Sequence, residues 1–67
     1  MGNHFVINVA IDGKHLFATA PHSFSDTTED GLARVRSVAL ALIKAFPTAS
    51  VTIAEWTGYG ISVPVNG

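Results

Sequence analysis

The fold is decided by residues 5–20, which read FVINVAIDGKHLFATA. Two runs rich in β-branched and aromatic residues flank Asp12-Gly13. An Asp-Gly pair in this setting is typical of a two-residue type I′ turn, because both central residues need a positive φ. The turn predicts a hairpin of strands 5–11 and 14–20. Its register gives one strongly apolar face, and we expect four residues of that face in the core: Phe5, Ile7, Val9 and Leu16.

The same register assigns the other side chains to the opposite face, because side chains alternate along a strand. We expect Val6, Phe17 and Ile53 there, among polar neighbours that include Glu55. An apolar patch with a polar rim is the usual appearance of a protein-binding surface. A half-solvated antiparallel sheet is the alternative interpretation. Phe17 and Glu55 are therefore predicted partner-binding residues.

A helix is predicted after the hairpin. Asp26-Thr27-Thr28-Glu29 has the form of a capping box, in which the Asp26 carboxylate accepts a hydrogen bond from the Glu29 amide. The apolar residues that follow recur at helical spacing, and Pro47 predicts that the helix ends near Ala45. The apolar stripe expected to face the sheet consists of Leu32, Val35, Ala39, Leu42, Ile43 and Phe46.

The start of this helix carries the acidic cluster of the chain. Carboxylates at this position stabilise the positive end of a helix dipole, and Gly31 is expected only to weaken the first turn slightly. The functional alternative is a docking patch for a basic groove, acting as a local decoy of nucleic acid. The predicted partner-binding residues here are Asp26, Glu29 and Asp30.

A second hairpin is predicted from residues 51–57 and 61–65 around Gly58-Tyr59-Gly60. Pro64 cannot donate a hydrogen bond to a strand neighbour, so the last strand is expected at an edge of the sheet. Together the elements predict a single α+β domain over residues 1–67. It is a ββαββ fold with a four-stranded antiparallel sheet in the order 2-1-3-4 and one helix packed on one face.

The second hairpin has two possible registers. A two-residue loop pairs Ala54 with Val63, whereas a three-residue loop pairs Glu55 with Val63. The two-residue loop is preferred, because the alternative puts Glu55 on an apolar face. Tyr59 lies at the tip in both cases. Because Tyr and Trp are common interface anchors, Tyr59 is a predicted contact residue, and Trp56 is expected either beside it or packed over the helix end.

Composition and motifs argue against several classes of function. Five acidic and four basic residues give a net charge of −1, so direct binding of nucleic acid is not expected. The three histidines have no recognised metal spacing, and no nucleophile motif is present. We therefore predict no catalytic residue, no metal site, no cofactor and no enzymatic activity.

The expected location is the cytoplasm. The longest apolar run, Val38–Ile43, is far too short to cross a membrane, and residues 1–4 carry no positively charged start of a secretory signal. The absence of cysteine fits a reducing compartment. We expect no membrane contact and a monomer or weak homodimer.

In overall format the chain resembles very small phage-encoded inhibitors of host defence, including anti-CRISPR proteins. The features that carry the resemblance are the compact one-helix sheet, the acidic stretch at residues 26–30, and residues 5–20, which read like short phage open reading frames. The resemblance implies a host protein partner, such as a subunit of a CRISPR-Cas surveillance complex, that is blocked sterically in the host cytoplasm.

Two other functions are considered. The strand, strand and acid-started helix are also similar to antitoxin modules of the HicB kind. However, residues 21–24, which read PHSF, stand where those modules carry a Pro-Asp-Leu-x-Gly type loop. A structural homo-oligomer, formed through an open sheet face or a free strand edge, is the other alternative.

Overall fold

The computed structural model describes residues 3–20, 23–57, 60 and 62–65. Its elements are β1 (His4–Ile11), β2 (Lys14–Ala18), α1 (Glu29–Ala45), β3 (Ser50–Trp56) and β4 (Ser62–Pro64). The strands form one antiparallel sheet in the order β2-β1-β3-β4, and α1 packs on the two central strands, β1 and β3. The predicted α+β fold, its ββαββ element order and its strand order are confirmed.

The predicted register of the first hairpin is correct next to the turn and wrong farther from it. Asp12 and Gly13 both have a positive φ, at 53° and 76°, as a two-residue turn of this type requires. A β-bulge then shifts the pairing, so that Val9 lies opposite Phe17 rather than Leu16. The two pairs that follow the prediction are Ile11 with Lys14 and Ala10 with His15.

The bulge exchanges the roles predicted for Leu16 and Phe17. One extra residue in a strand moves the following side chains to the opposite face. Leu16 is therefore 49% exposed and not part of the core. Phe17 packs instead on the helix side, where its ring meets Phe46 edge to face at a centroid distance of 5.8 Å. The bulge therefore places Phe17, the larger and aromatic side chain, against the end of α1.

The second hairpin has the three-residue register, so the preferred two-residue register is wrong. Glu55 pairs with Val63, and the Val65 amide donates to the Ile53 carbonyl oxygen at 2.9 Å. The physical reason is Pro64. The two-residue register would place Pro64, which has no N–H, opposite Ile53, where a donor is needed. In the observed register the nitrogen of Pro64 points away from β3, and the predicted edge position of its strand is confirmed.

The core lies between α1 and one face of the sheet. Phe5, Ile7 and Val9 from β1 are at most 2% exposed and pack with Val35 and Ala39 of α1. These two helix residues belong to the predicted stripe, whereas Ile43 from the same stripe is 44% exposed.

The other side of the sheet, here called the open face, carries the alternate residues of each strand. Val6 is there as predicted. Ile53 and Glu55 are not, because Ile53 pairs with Ile7 and Glu55 pairs with Phe5 on the helix side. The residues of the open face are His4, Val6, Asn8, Ala10, His15, Ala18, Thr52, Ala54, Trp56, Ser62 and Pro64.

Helix α1 begins later than predicted, with Thr28 rather than Asp26 as its N-cap. The Thr28 hydroxyl accepts a hydrogen bond from the Gly31 amide at 3.4 Å. Asp26 supports the cap from outside the helix, since its Oδ1 accepts from the Thr28 amide at 2.9 Å and from the Thr28 hydroxyl at 2.5 Å. The helix ends at Ala45, as predicted from Pro47.

Gly31 has a larger role than the sequence indicates. It is buried, and an ideal Cβ there would lie on the carbonyl oxygen of Asp26, 2.6 Å from the carbonyl carbon and 2.8 Å from Cγ. Real Cβ atoms essentially never come within 3.0 Å of another heavy atom. Only glycine therefore allows the segment before α1 to cross this close to the first helical turn.

Candidate interaction surfaces

The open face carries no Asp, Glu, Lys or Arg side chain, which is its most informative property. All five acidic and four basic side chains of the chain are in the described part of the structure, and none lies on this face. The two strand residues among them face the helix side, because Lys14 pairs with Ile11 and Glu55 pairs with Phe5. The other seven are in the β1–β2 turn, before α1 or on α1.

The open face also has the composition of a docking surface. Trp56 and Ala54 are half-buried and Val6 is 8% exposed. Val6 nevertheless lies outside the core cluster between sheet and helix. Interface centres are depleted in charged residues and enriched in Trp, and this face has both properties.

The acidic start of α1 brings Asp26, Glu29 and Asp30 together, and all three are exposed. The hydroxyl and then the amide of Thr28 donate hydrogen bonds to Asp26, and with the nearby charge of Arg34 they hold the pKa of the Asp26 carboxyl below its usual value. This carboxylate is therefore ionised throughout the neutral range. The cluster can pair with a local cationic group of a partner.

The remaining predicted contact residues lie on the strands or outside the described residues. Glu55 is half-buried on the helix side, and its Oε2 accepts a hydrogen bond from Asn3 Nδ2 at 2.9 Å. Phe17 is half-buried on the edge strand β2. Tyr59 lies outside the described residues. The contribution of each of these residues to binding stays a prediction.

A groove between α1 and β4 was not predicted. It has a volume of about 420 Å³ and results from the shortness of β4, which is three residues long and leaves one flank of the helix uncovered. Leu40, one of its lining residues, is 59% exposed. The sequence signal was Leu40 itself, a large apolar residue outside the predicted stripe. The apolar residues that line this α1–β4 groove are Ala39, Leu40, Ile43, Val51, Ile53, Pro64 and Val65.

Metal binding has no geometric support in the part of the chain that the structure describes. There, no three His, Asp or Glu side chains lie close enough together to hold an ion. Of the three histidines, His4 is on β1, His15 is on β2 and His22 lies outside the described residues. The lack of a cofactor and of catalysis stays a prediction.

Comparison with known proteins finds no matching family model, no matching curated protein and no matching solved structure. Within the described residues, no helix has both the length and the apolar character needed to span a membrane.

Proposed function

We propose that this chain is a small non-catalytic binding protein that docks through its open face on a larger protein and blocks it sterically. The observation that supports this proposal is that the open face has no Asp, Glu, Lys or Arg side chain and does have Trp56. A sheet face hydrated on its own normally carries charged side chains among its polar residues. Burial against a partner accounts for a face that has none.

The partner that we propose is a host defence protein in the cytoplasm, such as a subunit of a CRISPR-Cas surveillance complex, with the chain acting as a phage-encoded inhibitor. This part rests on the resemblance in format and on the acidic start of α1. Asp26, Glu29 and Asp30 would occupy a basic site that otherwise contacts DNA. Three carboxylates reach only a small part of such a site, so the acidic start adds to docking through the open face.

The test begins with a tagged chain expressed in bacteria that carry a CRISPR-Cas system, followed by mass spectrometry of the proteins that co-purify. The affinity of the purified target is then measured for the natural chain and for two variants. Thr52→Arg places a charge on the open face. Ser37→Arg places the same charge on the exposed side of α1 and is the matched control.

The expected result is that Thr52→Arg weakens target binding at least about 100-fold, since a buried unpaired charge costs several kcal/mol, while Ser37→Arg binds normally. Equal affinity of both variants would refute docking through the open face. If Thr52→Arg instead converts an oligomer of the natural chain to monomers, the open face is the interface of a structural homo-oligomer. Circular dichroism of each variant establishes that it is folded.

A further inference from the structure

Beyond target binding, we propose that Asp12-Gly13 is a site of spontaneous covalent modification, at which the aspartyl residue closes to a cyclic imide and reopens as isoaspartate. The chain has a second Asp-Gly pair, Asp30-Gly31. The first pair reacts, whereas the fold protects the second. This inference does not depend on the proposed function, because it concerns the chemistry of the chain alone.

The reaction needs only the two residues of the pair and water. The backbone nitrogen of the glycine attacks the side-chain Cγ of the aspartic acid before it, so that an N–Cγ bond forms and the carboxyl OH leaves with the amide proton as water. Water then adds to one of the two carbonyl carbons of the five-membered ring. Opening at Cγ restores aspartate, and opening at the main-chain carbon leaves isoaspartate, in which the chain continues through Cγ. A glycine in the second position favours the attack, because it has no Cβ to hinder the backbone.

The first turn gives Asp12 a short route to the ring. A nearly planar ring requires a ψ of about −120° at the aspartate, which is the value at the first central residue of a type II′ turn. Asp12 and Gly13 have φ values of 53° and 76°, as in a type I′ turn. Rotation of the single peptide unit between them converts type I′ to type II′, which changes φ of Gly13 to about −80° and leaves φ of Asp12 in place. Both turn types connect the strands of a two-residue hairpin, so this rotation does not require the strands to separate.

Nothing around the turn opposes this rotation. Asp12 and Gly13 are both exposed, and a Cβ at Gly13 would have no neighbour within 4 Å. Glycine adopts negative and positive φ about equally well. The strand pair next to the turn, Ile11 with Lys14, lies outside the rotating peptide.

Asp30-Gly31 lies in a different environment. Asp30 is in the first turn of α1, where ψ is about −42°, and Gly31 is buried. The amide of Gly31, which would have to attack, donates a hydrogen bond to the Thr28 hydroxyl at 3.4 Å. The Asp26 carbonyl carbon is only 2.6 Å from where a Cβ of Gly31 would be, so this backbone is closely surrounded. Ring closure at Asp30 therefore requires that the first turn of α1 opens.

Isoaspartate at residue 12 alters the hairpin. The chain then runs through Cβ and Cγ instead of the main-chain carbonyl carbon, so the turn gains one backbone atom. The two pairs nearest the turn, Ile11 with Lys14 and Ala10 with His15, are adjusted to a turn without that atom. The modification is therefore expected to loosen the end of β2 that follows the turn.

The test is prolonged incubation of the full chain at neutral pH, below its unfolding temperature, followed by digestion with trypsin. Cleavage after Lys14 and Arg34 places the two Asp-Gly pairs in separate peptides, residues 1–14 and 15–34. Isoaspartate in each peptide is measured with an isoaspartate-specific methyltransferase, and the freshly prepared chain gives the background. We expect at least about tenfold more isoaspartate in residues 1–14 than in residues 15–34, which corresponds to a difference in activation free energy of about 1.4 kcal/mol.

The chain unfolded in urea is the matched control, because neither pair is then held in its native structure, and the difference between the two peptides is expected to disappear. Asp12→Asn provides a second measurement. Asn-Gly also favours a type I′ turn, and its ring closes with loss of ammonia, so that reopening with water leaves a mass increase in residues 1–14. We expect this variant to react faster than the natural chain.

Equal amounts of isoaspartate in the two peptides of the folded chain, or more in residues 15–34, would overturn the proposal. So would a folded chain in which residues 1–14 gain no isoaspartate, because the turn would then protect the pair. An Asp12→Asn chain that keeps its amide nitrogen would have the same meaning. Circular dichroism before and after incubation establishes that the chain stays folded.

Discussion

Gly31→Ala tests the close approach at the start of α1, because two physical effects of opposite sign meet there. In an ordinary helix interior, this change stabilises by about 1 kcal/mol, since alanine has the higher helix propensity. Here the new methyl group would overlap the Asp26 carbonyl. The segment cannot simply move away, because the Phe24 carbonyl oxygen accepts a hydrogen bond from the Phe5 amide at 2.9 Å.

The net effect follows from these contributions. Overpacking costs about 1–3 kcal/mol, and displacement of Asp26 from Thr28 costs a further part of the cap, which is worth about 0.5–2 kcal/mol. Against a gain of about 1 kcal/mol, we expect Gly31→Ala to lower the free energy of unfolding by about 2 kcal/mol. For a domain of this size that is a large part of the total stability.

The assay is urea unfolding followed by far-UV circular dichroism, with Ser37→Ala as the control. Ser37 is exposed in the middle of the same helix, so its replacement is expected to stabilise by about 0.5 kcal/mol through propensity alone. A Gly31→Ala protein at least as stable as the natural one would refute the close approach. An unchanged denaturant slope in both variants confirms that the comparison is between the same two states.

Three further predictions concern the hairpins and the cap. Phe17→Ala is expected to lower the free energy of unfolding by about 2 kcal/mol, because it removes a half-buried aromatic contact, and Leu16→Ala by less than about 0.5 kcal/mol; equal losses in chemical unfolding would contradict the bulge. Asp26→Asn is expected to reduce the decrease in the free energy of unfolding that occurs as the pH falls into the acid range. The folded-state pKa of Asp26 is lowered from 3.8, so its contribution is present above that pH and is lost as pH falls through the folded value; an unchanged acid limb in thermal unfolding at a series of pH values would show that this carboxylate is not linked to folding. Pro64→Thr gives the edge strand an outward N–H and is expected to cause self-association without loss of fold, measured by light scattering; a strictly monomeric Pro64→Thr protein would mean that the edge is protected in another way.

The first turn, the end of α1 and the edge strand could be predicted from the sequence because they depend on residues that are neighbours in the chain, whereas the predicted N-cap, Asp26, was two residues too early. Asp12-Gly13 defined the first turn, Pro47 marked the end of α1, and Pro64 marked an edge strand. Each of these residues restricts the backbone whatever surrounds it. The strand order followed from these elements and the short connections between them.

The registers depend on contacts between distant residues, and there the sequence was insufficient. The bulge beside Leu16 is favoured by the contact of Phe17 with Phe46, which are far apart in the chain. Near the turn no such contact competes, so the predicted pairs hold. The second register was decidable in principle, since a two-residue loop would have required Pro64 to donate to Ile53. The wrong register was preferred because it kept the Glu55 side chain off an apolar face. A carboxylate on that face costs less free energy than a backbone carbonyl left without a donor.

The bulge in β2 and the pairing of β3 with β1 together produce the surface on which the proposed function rests. In the predicted sheet, Phe17 and Glu55 lie on the open face, and that face is an ordinary mixed surface. In the structure Glu55 lies opposite Phe5 on the helix side, where Asn3 supplies a hydrogen-bond donor, and the bulge turns Phe17 toward the core. The open face then carries Trp56, the two histidines His4 and His15, and side chains that bear no charge. Lys14 and Glu55, the two charged strand residues, thus both lie on the helix side, which leaves the surface that we propose binds a partner without Asp, Glu, Lys or Arg.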